Sequence, residues 1–218
     1  HNFASVKADV IYTNTFNAQV GGVVLHNAGT TIGMYGNVGH YRFSVDTKYG
    51  GRFGLIWPSG GIGNITTGIR GTNEWHQLEL QADHAVPGVV RLTGIVRDPD
   101  TSMVLNTITT NMFGSDILTG GNAGIQIEDT NPQGRPHIFV DNYCQEYRLV
   151  TTTTSSTSTT GPVCDDFDSY TDGDLLENNF GLPNADWIAG EQGPVEKTTV
   201  NIVGADAGTY EVVKDATT

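Results

Sequence analysis

Apolar and polar residues alternate along several short stretches of this chain, the two-residue period of strands that turn one face to a core and the other to water. Val6, Ala8, Val10 and Tyr12 interleave with Ser5, Lys7 and Asp9. Tyr41, Phe43 and Val45 interleave with His40, Arg42, Ser44 and Asp46, and His76, Leu78, Leu80 and Ala82 with Gln77, Glu79 and Gln81. Val90, Leu92 and Val96 continue the pattern, and further strands are expected over 198–203 and 209–214. Gly21-Gly22, Gly50-Gly51, Gly60-Gly61, Pro87-Gly88 and Gly120-Gly121 are expected to form the tight turns between antiparallel neighbours. Helical spacing is scarce, so the pattern predicts an all-β chain folded as a two-sheet antiparallel sandwich.

The order of the segments is unusual. Residues 136–150 read as the closing strand of a β-sandwich module, whereas 162–176 read as the opening of one. Between them lie ten consecutive hydroxyl residues: Thr151, Thr152, Thr153, Thr154, Ser155, Ser156, Thr157, Ser158, Thr159 and Thr160. Such a tract buries no apolar surface and has the composition of an O-glycosylated linker. Joining Thr218 to His1 gives an uninterrupted strand, turn and strand. The expected organisation is therefore a circularly cut domain: its larger C-terminal part in 1–150, the linker in 151–161, and the N-terminal part of the next, identical domain in 162–218. Asn64-Ile65-Thr66 adds an N-glycosylation sequon at Asn64.

Composition narrows the classes. With 24 acidic against 11 basic side chains the net charge is −13, which argues against a nucleic-acid partner or an anionic membrane surface. No apolar run reaches the roughly 20 residues that a membrane-spanning helix needs. Cys144 and Cys164 flank the hydroxyl tract, and that combination points to an extracellular or cell-surface location. Three states of the cysteines remain open: a bond within the chain that encloses the linker, a bond from Cys164 to Cys144 of a following repeat, or two free thiols.

Three stretches, Cys164-Asp165-Asp166-Phe167-Asp168, Glu74-Trp75-His76-Gln77-Leu78 and Phe139-Val140-Asp141-Asn142-Tyr143, resemble the opening, central and closing strands of the concanavalin-type or laminin-G-like jelly roll. The resemblance implies two curved antiparallel sheets and a structural calcium shared by Asp141 and Asp168, with carbonyls and waters completing its six to eight oxygens. The competing reading is a solvated acidic turn around Asp165, Asp166, Asp168, Asp172 and Asp174. No other cofactor is expected.

The same superfamily includes glycoside hydrolases, which use two carboxyl groups about 5 to 10 Å apart. The alternating acids of related glucanases do not occur here; Glu74 and Glu79 fall on opposite faces of a strand, and Glu128-Asp129 are adjacent. The six histidines lack metal-ligand spacing, and His76 takes a core position. Trp57, where a strand meets the Gly-rich 58–61 stretch, is the candidate sugar-stacking residue; its alternative is packing at the sandwich edge. Trp75 is expected to be structural and Trp187 to lie on a loop or repeat interface. The expectation is thus a non-enzymatic structural subunit of an extracellular glycosylated filament or stalk, partnered by copies of itself. The alternative is a carbohydrate-binding module of a secreted adhesin or polysaccharide-degrading enzyme, partnered by glycans.

Overall fold

A computed structural model describes residues 2–12, 19–27, 39–46, 52–65, 74–129, 138–149 and 158–165. Within them the chain forms two antiparallel sheets. One contains β1 (Asn2–Tyr12), β6 (His76–Val86), β7 (Val89–Arg97), β8 (Val104–Phe113), β10 (Ile138–Leu149) and β11 (Ser158–Asp165), in the order β11-β10-β1-β6-β7-β8. The other contains β2 (Gln19–Asn27), β3 (Tyr41–Asp46), β4 (Arg52–Trp57), β5 (Gly60–Ile65) and β9 (Asn122–Asp129), in the order β5-β4-β3-β2-β9. The described chain is therefore all-β. No helix in it is long and apolar enough to cross a membrane.

The core follows from the alternation. Ala4, Val6, Ala8 and Val10 of β1, Leu78, Leu80 and Ala82 of β6, and Val90, Leu92 and Val96 of β7 face Tyr41, Phe43 and Val45 of β3 and Phe53 and Leu55 of β4. Gly94 continues the inward row of β7, because the Phe43 ring occupies the place of its side chain; a Cβ there would lie 2.4 Å from Phe43 Cδ2. His76 is buried as expected, with Nδ1 3.1 Å from the Glu74 carbonyl and its ring edge-on to Phe53.

Several expectations change. Gly21-Gly22 lie inside β2 rather than in a turn, and a Cβ on Gly22 would lie 2.0 Å from the Phe43 carbonyl oxygen, so glycine there admits a close approach of β3. Gly60-Gly61 open β5, and the turn itself is Pro58-Ser59. Pro87-Gly88 do form the β6–β7 turn, Gly88 at φ 74°. Trp75 is exposed, just ahead of β6 rather than in the core. Arg42 and Ser44, expected on a wet face, are buried, as are His40 and Gln126: the five-stranded sheet is buried on both faces along β3. Gly50-Gly51, Trp187, residues 166–176 and the strands expected over 198–203 and 209–214 lie outside the described residues.

Candidate functional site: a polar groove beside the disulfide

The outward row of β1, out of phase with its core row, carries Lys7 and Asp9. Beside it the β1–β10 pairing shifts: Lys7 pairs with Cys144 and Asp9 with Asp141, so Asn142 and Tyr143 together oppose the single residue Ala8. This is a β-bulge, which bends the strand and re-aims a side chain. Asn142 adopts φ 49°, a left-handed conformation that asparagine tolerates better than most residues, and its backbone N–H donates to Asp141 Oδ1 at 2.7 Å.

The re-aimed Asn142 donates from Nδ2 to Asp9 Oδ2 at 2.9 Å, and Gln77 on β6 donates from Nε2 to Asp9 Oδ1 at 3.0 Å. Asp9 is buried, and each oxygen has an amide donor. The three side chains stitch β6, β1 and β10 together. Two residues further along β10, Cys144 and Cys164 are directly opposed and disulfide-bonded, with Cα atoms 4.1 Å apart. That is the within-chain geometry; it closes a loop around the hydroxyl tract. Covalent and hydrogen-bonded links thus run across four adjacent strands, from β6 to β11.

These residues line a groove of about 460 Å³, with Lys7, Asp9, Gln77, Asn142 and Asp165 as its polar groups and Pro99, Tyr143 and the disulfide as the rest of its wall. Asp165 is buried opposite Tyr143 on β10. Burial holds the Tyr143 hydroxyl well above the usual tyrosine range, and that hydroxyl donates to Gln145 Oε1 at 3.0 Å. The groove therefore offers an ammonium group, amides and carboxylates.

The remaining sequence-derived candidates are dispersed. Asp141 is half-buried beside the bulge, while Asp168 lies outside the described residues. Among the described residues, no group of three or more His, Cys, Asp or Glu side chains is placed to hold a metal ion. Trp57, at the end of β4, is half-buried and packs against the core. Asn64 lies in β5, which ends its sheet among the described residues. Ser158, Thr159 and Thr160, the end of the hydroxyl tract, pair in β11 with Leu149, Arg148 and Tyr147; residues 151–157 lie outside the described residues. Glu79 accepts from Arg97 Nη2 at 3.0 Å and from Gln81 Nε2, which ties it into the outer face of β6 and β7, and Glu74 is exposed.

A second polar group sits on the outer face of the five-stranded sheet. His40 Nε2 lies 3.1 Å from Gln126 Oε1, and both residues are buried. Burial, then the neighbouring Arg42 charge, lower the His40 pKa to about 4, against the raising effect of Gln126. Alternation alone placed His40 in water.

The fold and groove define an all-β, disulfide-bonded sandwich. No protein family, curated protein or solved structure matches the chain.

Proposed function

We propose that the chain is a structural subunit of an extracellular glycosylated filament or cell-surface stalk, built from circularly cut jelly-roll domains of the concanavalin or laminin-G type and partnered by copies of itself. The observation that carries this reading is the stitch from Gln77 through Asp9 and Asn142 to the Cys144–Cys164 bond. It reinforces the sheet across the strands, as a module under tension requires, and it ends at the strand that the hydroxyl tract enters. A disulfide on that strand also favours an oxidising location. Glycans on the tract and on Asn64 would shield the assembly from proteases.

Mass spectrometry of native material tests this reading. The expected result is a peptide that runs from Asp215-Ala216-Thr217-Thr218 directly into His1-Asn2-Phe3-Ala4, with hexose ladders on the tract; a discrete unglycosylated subunit of about 23 kDa overturns it. The groove supports a second reading, a carbohydrate-binding module, because amide and ammonium groups suit sugar hydroxyls. In that case Lys7→Ala, which leaves the Asp9 hydrogen bonds intact, abolishes retention on immobilised glycans.

A further inference from the structure

Two further β-bulges, one in each sheet, carry histidines that meet between the sheets. The β2–β9 pairing shifts between Val24 and Asn27, leaving Leu25 and His26 opposite the single residue Ala123. His26 takes φ 56°, a left-handed conformation that costs about 1–3 kcal/mol and persists only where the surroundings impose it. The β6–β7 pairing shifts between Asp83 and Val86, so that His84 and Ala85 face Val90. His84 continues the inward row of His76, Leu78, Leu80 and Ala82. The two imidazole centres are 5.5 Å apart and nearly perpendicular.

Neither ring has the partners that a structural histidine normally finds. His26 is only 4% exposed, and its Nδ1 and Nε2 are both buried without a hydrogen bond; His84 Nε2 is in the same condition. The neighbouring tyrosines are already engaged. Tyr41, 5.6 Å from His26, donates to the Asp116 carbonyl and accepts from the Leu118 N–H, and Tyr147, 6.3 Å away, donates to the Gly121 carbonyl. Tyr41 and Tyr147 line the His26 side of the pair, and no hydrogen bond reaches these three nitrogens from the described residues.

We propose that His26 and His84 form a two-imidazole clamp for a divalent transition-metal ion of the zinc–copper type, bridging the two sheets. Imidazole is a preferred ligand for these ions. Two imidazoles on one tetrahedral ion, with metal–nitrogen bonds of about 2.0–2.1 Å, have ring centres about 5 Å apart, close to the observed spacing. Burial keeps both rings in the neutral form that binds metal. With two protein ligands, the remaining positions take water or a small ligand, and the ion is exchangeable.

The test is titration of the metal-free, disulfide-intact chain with Cu²⁺ and Zn²⁺ by calorimetry, with pulsed electron paramagnetic resonance of the copper form. The expected result is one ion per chain, two equivalent imidazole nitrogens in the spectrum, and a loss of affinity of at least about tenfold in both His26→Gln and His84→Gln. His84 is only half-buried, so His84→Gln remains decisive if the His26 variant fails to fold. No uptake by the folded chain overturns the proposal, as does uptake that His84→Gln leaves unchanged.

Discussion

Phe43 presses so closely on Gly94 that the smallest side chain there has no room. Gly94→Ala is therefore expected to destabilise the protein by about 1–3 kcal/mol through overpacking, read as a lower urea midpoint at unchanged slope. Asp9 is the opposite case, a buried polar group whose removal leaves a hole in a network. Asp9→Ala strands the Gln77 and Asn142 amides, at a cost of about 1–3 kcal/mol; Asp9→Asn, which keeps one acceptor oxygen, is expected to cost less in the same denaturation assay. At this scale the core rows of β1, β3, β6 and β7 were legible, because burial on one face imposes a period of two. Arg42, Ser44 and Gln126 were not, because alternation identifies which residues share a face and says nothing about whether that face is covered. Asp9 was read as a wet residue for the same reason: its partners come from Gln77, 68 positions away, and Asn142, 133 positions away.

Among the strands, β11 depends most on covalent help. Among the described residues it is one of the two edge strands of its sheet and pairs only with β10. A bond spanning 20 positions removes loop-closure entropy from the unfolded chain worth about 3 kcal/mol. Reduction is expected to lower stability by about that amount, and hydrogen exchange should show the β11 amides losing protection before those of β1 or β6. The bulges at His26, His84 and Asn142 were invisible in the sequence because each depends on how two strands come into register. One local signal did exist. Asparagine and histidine accept the left-handed backbone more readily than bulky residues do, and Asn142 and His26 sit where the pairing slips. The Gly21-Gly22 pair misled because glycine serves a close strand approach as well as a turn. The candidate site was legible only in its cysteines and in the pairing of a closing strand with the segment around Cys164.

For the whole molecule, the two-sheet antiparallel architecture was readable from alternation and turn residues, whereas the placement of ionisable groups inside it was not. That placement sets the response to acid. His40 has an ordinary pKa near 6.5 when unfolded and about 4 when folded, so the unfolded chain binds this proton more readily. Its contribution is fully present above pH 6.5 and is lost progressively as the pH falls toward 4. A depression from 6.5 to about 4 corresponds to a loss of about 3 kcal/mol, complete once the pH has fallen to 4. Buried His26, also lowered to about 4, adds a loss of the same sign, so urea denaturation at pH 7 and pH 4 should show the combined fall, and His40→Gln should remove only the His40 share of it.

The disulfide also decides where a pull along the chain is carried. Between Cys144 and Cys164 the shortest covalent route for force is the sulfur–sulfur bond, so an intact bond keeps tension off the segment it encloses. In the filament proposed above, sugars on that segment would not be stretched, and thiol reductants would act as a length switch. Breaking the bond pays out the 20 enclosed steps, roughly 65 Å at about 3.3 Å per residue. A single-molecule pulling trace should record that increment under reducing conditions and not under oxidising ones.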